Sequence, residues 1–279
     1  MIKRIISRLD IKNNSLVKGI NLEGLRVLGS PEIFANKYYD ENIDELIFQD
    51  VVASLYKRNQ LSELTKKISE NIFIPITVGG GIRKIEDINV ALNSGADRVS
   101  INTAAVENPK FVEEAVSKFG SSTISISIET LKIDGKYKIF TESGRKETNI
   151  DLMSWIKVLN DLNVGELIVT SIKHEGRSKG LDHELYEKLT QNSKIPVLAH
   201  GGVKNQSDVL NLFNNTNIHG IVISSAFHFN YLSEIKNKEN SISQGNTVFL
   251  SNFKNYENYK SNINDLKLFL KSNGIDIRS

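Results

Sequence analysis

The chain has no cysteine among its 279 residues, which excludes disulfides, thiolate metal sites and cysteine nucleophiles. No run approaches the roughly 18 consecutive apolar residues that suggest a membrane-spanning helix. The opening MIKRIISRLDIK alternates like a strand and lacks the apolar stretch of a secretion signal, so a cytoplasmic location is expected. An excess of one charge is missing too. Lys and Arg number 35 against 33 Asp and Glu, a net of +2, which gives no reason to expect nucleic acid or an anionic membrane as partner. The five histidines (His174, His183, His200, His219 and His228) show neither close pairing nor acidic partners at zinc-like spacing, so neither a metal nor a cofactor is expected. The single tryptophan, Trp155, reads as packing.

What the chain does have is a long internal repeat. IPITVGGGIRKIEDINVALNSGADRVSINT at 74–103 matches IPVLAHGGVKNQSDVLNLFNNTNIHGIVISS at 195–225. Ile74-Pro75 falls on Ile195-Pro196, Gly80-Gly81 on Gly201-Gly202 and Asp87 on Asp208, all at an offset of 121. Glu45-Leu46-Ile47 falls on Glu166-Leu167-Ile168 at the same offset, and Leu9-Asp10 on Ile128-Glu129 at 119. A period this long is no solenoid unit. It predicts two half-domains related by a pseudo-twofold axis, each with a carboxylate at a strand end and a glycine-rich loop.

Short β-branched runs at 3–9, 45–50, 74–78, 97–101, 123–129, 166–171, 196–199 and 220–224 alternate with amphipathic segments. The segments at 59–70, 85–94, 109–118, 151–162, 182–191 and 205–213 have helical spacing. Several strands are nearly apolar throughout, as strands buried on both faces are. Eight strands in two equal halves predict an α/β fold of the (β/α)8 TIM-barrel type, in preference to a doubly wound open sheet. The whole of 1–279 is expected to be one domain. Residues 130–149 read as an inserted hairpin turning at Asp134-Gly135. Residues 236–262, rich in Asn, Ser, Lys and Tyr, read as an exposed insertion ahead of a last helix near 263–273.

In such barrels the chemistry sits at the C-terminal ends of the strands. There this sequence places Asp10, Asp50, Gly79 to Gly81, Asn102-Thr103, Glu129, Thr170-Ser171, His200-Gly201-Gly202 and Ser224-Ser225. Gly80-Gly81 with Asn102-Thr103 would form one phosphate cradle. Gly201-Gly202 with Ser224-Ser225, joined by Gly176, would form its counterpart. Glycines that serve only tight packing are the bland alternative. Two cradles on one mouth imply a substrate with a phosphate at each end. Asp10 and Glu129, on opposed strands, would flank its middle as a general acid–base pair, unless each merely accepts from loop amides.

The segments RLDIKNNSLVKG, QDVVAS, TVGGGI, ADRVSINTAAVENP, TSIKHEG and SAFHF together resemble the cyclase subunit of imidazole glycerol phosphate synthase. The similarity covers about 1–229 and resumes in LKLFLKSNGIDIR. SINTAAVENP is the most specific part, since the related histidine-pathway isomerase shares the two-half architecture but not that run. The resemblance implies a glutaminase subunit docked on the N-terminal face of the barrel, toward Asp97, with which the chain would form a heterodimer. Ammonia from that subunit would cross the barrel and react with a bisphosphate phosphoribulosyl-formimino aminoimidazole carboxamide ribonucleotide. The products would be imidazole glycerol phosphate and aminoimidazole carboxamide ribonucleotide, a lyase reaction of histidine biosynthesis. It also implies acid–base roles for Asp10 and Glu129, and phosphate contacts at Gly81, Asn102 and Thr103 on one side. On the other they fall at Gly176, Gly202, Ser224 and Ser225. Lys18 corresponds to the family's loop lysine, and Arg4, Glu45, Arg98 and Glu166 to an ammonia gate. At the starts of alternate strands those four charges would form a layer of two opposite pairs. A structural plug is the other account of that layer.

The sequence departs from the family in four places. The second carboxylate is Glu129 rather than Asp, and a misplacement of about 1 Å can cost on the order of 100-fold in rate. Lys173 stands where an acid is usual and is expected to alter the field beside the substrate. His200 replaces a small residue, and is expected either to titrate near neutrality or to bond a loop carbonyl. The stretch 236–262 is extra. With the gate retained, these changes suit a paralogue that channels ammonia to a sugar-modifying amidotransferase of surface-polysaccharide biosynthesis. Retention of both phosphate sites favours the cyclase, which is the first expectation. A non-catalytic phosphometabolite-binding barrel is the third.

Overall fold

The computed structural model describes residues 1–53, 61–236 and 261–278. Strand β1 (Arg4–Lys12) runs into a hairpin of β2 (Ser15–Ile20) and β3 (Glu23–Gly29), followed by helix α1 (Pro31–Asp40). Next come β4 (Glu45–Asp50), α2 (Ser62–Ser69), β5 (Ile76–Gly79), α3 (Ile85–Asn93) and β6 (Arg98–Ile101). The short α4 (Thr103–Glu107) and α5 (Pro109–Phe119) precede β7 (Ile124–Ile133). An antiparallel excursion of β8 (Lys136–Thr141) and β9 (Lys146–Asp151) leads to α6 (Leu152–Leu162). The second half continues with β10 (Glu166–Ser171), α7 (His183–Asn192), β11 (Val197–His200), α8 (Gln206–Asn215), β12 (Gly220–Ile223) and α9 (Ser225–Lys236). Helix α10 (Ile263–Ser272) comes last.

Strands β1, β4, β5, β6, β7, β10, β11 and β12 pair in parallel in that order, and β12 returns to β1, with Arg4 opposite Gly220. This is a closed eight-stranded (β/α)8 barrel. Parallel strands covered by helices outside and by one another inside must be apolar on both faces. The centre of β10, Leu167–Val169, is apolar on both faces for this reason, and the whole strand is buried. Ile5, Leu9, Leu46 and Phe48 pack outward against the helices, while Ile6, Ile47, Ile168, Leu198 and Val222 fill the interior.

The repeat is visible in the capping. Asp87 accepts from the backbone amides of Arg83 (2.9 Å) and Lys84 (3.1 Å), and Asp208 accepts from that of Lys204 (3.1 Å). Each fixes the turn between a glycine loop and the helix after it. Helix α10 closes the barrel by burying Ile263, Leu266 and Leu270, and Lys267 bonds Asp44 at 2.6 Å.

Several elements differ from expectation. Strand β1 runs to Lys12 rather than ending near 9, because its end pairs with β2 (Asp10 opposite Val17). The hairpin β2–β3 and helices α1 and α9 carry no expectation from sequence. The 130–149 hairpin is three-stranded, built from the tail of β7 with β8 and β9, and turns at Asp134 (φ 47°) and Gly135 (φ 79°) as anticipated. Most of the 236–262 insertion, and the start of the helix expected at 59–70, lie outside the described residues. Among the described residues no helix is long and apolar enough to cross a membrane.

Candidate active site

The two-residue period of β1 sets Arg4, Ile6, Arg8 and Asp10 on the barrel axis, one above the other. Arg4 sits at the N-terminal end. Its Nη1 donates to Glu45 Oε1 at 2.9 Å and its Nη2 bonds Glu166, while Arg98 Nη1 donates to Glu45 Oε2 at 2.8 Å. Glu45 therefore bridges two arginines. The four charges form a connected chain, Arg98–Glu45–Arg4–Glu166, rather than two opposite pairs, because one carboxylate has two oxygens to share. Asp97 lies exposed at the same end and accepts from the Ile76 amide at 2.8 Å.

Above the apolar layer is Arg8, only 1 % exposed and among the largest fully buried side chains. Its Nε donates to Asp10 Oδ1 at 2.7 Å, and Lys18 Nζ, carried in on β2, donates to Asp10 Oδ2 at 3.0 Å. Lys18 also pairs with Glu175, whose Oε2 accepts from the Leu22 amide at 2.9 Å. The β2–β3 hairpin is thereby fastened to the loop after β10. Burial would raise the Asp10 carboxyl, but the charges of Arg8 and Lys18 outweigh it and hold the group well below the usual carboxylate range.

Glu129 lies opposite, on β7. Its Oε2 accepts from Asn102 Nδ2 at 2.8 Å and from the Gly144 amide at 2.9 Å. Burial pushes it up to about 7, a rise that Arg8 and the Gly144 N–H only partly offset. Two carboxyls at matched positions thus differ in protonation near neutral pH.

Two pockets open at this mouth. One, of about 470 Å³, is lined by Gly80, Gly81, Asn102, Thr103, Gln49 and Glu129 among others. The second, of about 280 Å³, is lined by Gly176, Gly201, Gly202, Ser224 and Ser225 together with His200. The glycines are required sterically. Gly80 (φ 96°) would place a Cβ 2.3 Å from the Asp50 carbonyl oxygen, and Gly202 (φ 103°) one 2.4 Å from that of Gly180. Each pocket ends at the first residue of a helix, Thr103 of α4 or Ser225 of α9.

A family model described as histidine biosynthesis protein matches residues 4–233. The chain belongs to that family. Among its relatives, the imidazole glycerol phosphate synthase subunit HisF of Legionella pneumophila is 47% identical over 201 residues, 72% of this chain and 95% of the relative. The subunit of that name from Natranaerobius thermophilus is 40% identical over 237 residues, 84% of this chain and 94% of its own. That from Flavobacterium psychrophilum is 37% identical over 276 residues, 99% of this chain and 98% of its own.

For this family member, the residues singled out from sequence divide into those gathered at the mouth and those turned elsewhere. Asp50 lines neither pocket: it faces away from the axis and accepts from the Val52 amide at 3.0 Å, while its neighbour Gln49 points in. Thr170 is buried and spends its hydroxyl on His200 Nδ1 at 2.9 Å. The ring's Nε2 lies 3.3 Å from Ser224 Oγ, so His200 bonds two hydroxyls and not a loop carbonyl. Burial, reinforced by Arg8 and Lys18, holds it well below its ordinary value, so it is neutral at neutral pH and does not titrate there. Lys173 is exposed, and the buried charged residue of that run is Glu175.

Sequence reasoning missed Arg8 and Glu175. The signal for Arg8 was present, since it shares the two-residue phase of Arg4 and Asp10. Glu175 lies in a loop, where no periodicity marks it.

Proposed function

We propose that this chain is the cyclase subunit of imidazole glycerol phosphate synthase, the name its relatives carry. It would use ammonia from a glutaminase partner to convert the bisphosphate ribulosyl intermediate of histidine biosynthesis into imidazole glycerol phosphate and aminoimidazole carboxamide ribonucleotide. The supporting observation is the pair of glycine pockets on one mouth, one of them lined by Glu129, whose carboxyl is pushed up to about 7 while that of Asp10 is held well below the usual range. One phosphate would be held by Gly80, Gly81, Asn102 and Thr103, and the other by Gly176, Gly201, Gly202, Ser224 and Ser225. The Ser225 hydroxyl is buried without a hydrogen-bond partner, a deficit that an anion would relieve. Condensation of ammonia with the ribulosyl ketone needs two protons delivered to the oxygen, which departs as water, and two removed from nitrogen, so the net proton count is unchanged. The strand-end carboxyls Asp10 and Glu129, with Lys18 beside Asp10, would supply the charge and the proton transfer that this step needs.

Ammonia would enter past Arg4, Glu45, Arg98 and Glu166. The glutaminase would cover that face, where Ile2 (57 % exposed) and Phe73 (79 %), at the N-terminal ends of their strands, present apolar surface. We place the enzyme in the cytoplasm. No observation favours delivery of ammonia to a sugar-modifying enzyme instead. The test is turnover of the purified chain with an ammonium salt and the bisphosphate substrate, followed as loss of substrate and appearance of both products. No turnover overturns the proposal.

A further inference from the structure

The half-barrel repeat places Asp10 and Glu129 at corresponding positions, yet their surroundings are chemically opposite. Both oxygens of Asp10 are engaged by cations, Oδ1 by Arg8 and Oδ2 by Lys18, and Asp10 lines neither glycine pocket. Glu129 lines the larger pocket, and its hydrogen bonds, from neutral amides, fall on Oε2 alone. Arg8 is the unexpected element. It is enclosed in the barrel between the apolar layer and the carboxylates, its Nε committed to Asp10 and its Nη2 buried without a partner. A guanidinium buried at that depth with one nitrogen unsatisfied is costly to keep unless it does electrostatic work.

We propose that Arg8 is a positioning residue that, with Lys18, clamps Asp10 as a permanent anionic anchor and leaves Glu129 as the group that exchanges protons during turnover. The inference rests on the cyclase proposal for its chemistry but not for its test. In each of the two exchanges of the condensation, Glu129 gives a proton to the ketone oxygen, which departs as water after the second, and takes one back from the ammonia-derived nitrogen, so it ends each exchange in its starting protonation state. Asp10 contributes fixed charge. The charged and titratable groups facing Asp10 are Arg8, Lys18 from β2 and His200 from β11. Those facing Glu129 are Arg8 and Asp10 from β1 and Arg145 from the β8–β9 turn. Arg8 is shared by both lists and lowers both groups, so its removal should raise both.

The experiment is a carboxyl carbon-13 NMR titration of the unliganded full-length chain, comparing wild type with Arg8→Met and Arg8→Lys. In wild type, Asp10 should show no step between about pH 4 and 9, and Glu129 one step near neutrality. Arg8→Met should bring the Asp10 step up toward the observable range and move that of Glu129 upward by roughly one pH unit or more. Arg8→Lys, which keeps a cation in the layer, should restore the wild-type order. A wild-type Asp10 that titrates within the range overturns the proposal. So does an Arg8→Met chain in which neither step moves, which would make Arg8 packing alone. Should Arg8→Met fail to fold, the wild-type titration still decides the assignment, and Lys18→Met supplies the second perturbation. Because no substrate is used, these outcomes are independent of whether the cyclase reaction occurs.

Discussion

The two halves of the barrel carry the same strand-end carboxyl and surround it differently. In the first half the β2–β3 hairpin delivers a cation, Lys18, to Asp10. In the second half the excursion through β8 and β9 delivers a neutral amide, that of Gly144, to Glu129. Both excursions leave from the same point of the repeat, after the first strand of each half. Duplication fixes where a side chain stands, and the loop laid over it decides its charge. A single fold can in this way hold one carboxyl ionised and the other poised near neutrality.

The largest expected break in that comparison is Asp10→Asn. It strands Arg8 and Lys18 without their shared partner, and equilibrium unfolding in urea should show a loss of about 3–5 kcal/mol. Glu129→Gln should act in the opposite direction. The folded carboxyl titrates near 7 against an ordinary 4.5, so wild type bears a penalty for ionising it that is complete above pH 7 and gone below 4.5. The variant should be more stable than wild type by roughly 2–4 kcal/mol at about pH 8, with the gap closing as pH falls through that window, while turnover drops on the order of 100-fold or more. Equal and same-sign stability changes in the two variants would erase the contrast between the halves.

The glycine loops sharpen the comparison next. Gly80→Ala and Gly202→Ala each meet a backbone carbonyl at a positive φ, and each should lose about 1–3 kcal/mol in thermal unfolding and raise KM for the bisphosphate. Glu45→Gln, at the far end of the barrel, should lower the rate with glutamine and the glutaminase while leaving the rate with ammonium salt within about threefold, since it breaks the bridge between Arg4 and Arg98 without touching the mouth. The smallest effect is expected of Lys173→Ala. Its exposed side chain predicts a change below about twofold in kcat/KM, and a larger loss would mean that the loop after β10 rearranges over the substrate.

Much of this was legible in the chain because it depends on period and repetition. Short, β-branched, nearly apolar runs marked the barrel strands, and matched Gly-Gly pairs marked the turns where no Cβ fits. The offset of the repeat paired Asp87 with Asp208, which play the same capping part. The hairpin β2–β3 was less legible: its residues 15–29 mix apolar and polar residues with three glycines, and they become strand by pairing with the extended end of β1. Asp50 misled because a polar residue at a strand end looks functional whichever way it points. Its phase relative to Ile47 would have turned it outward and Gln49 inward.

By itself, then, the sequence determined the closed eight-stranded architecture, its twofold pattern and the positions of the carboxyls and glycine loops, since these follow from local spacing repeated along the chain. Only the tertiary structure decided that Arg8 and Lys18 clamp Asp10, that Glu175 fastens the hairpin and that His200 stays neutral. Those outcomes depend on burial and on distances between residues far apart in sequence, and the energy of a charge is set by what surrounds it, not by its place in the chain.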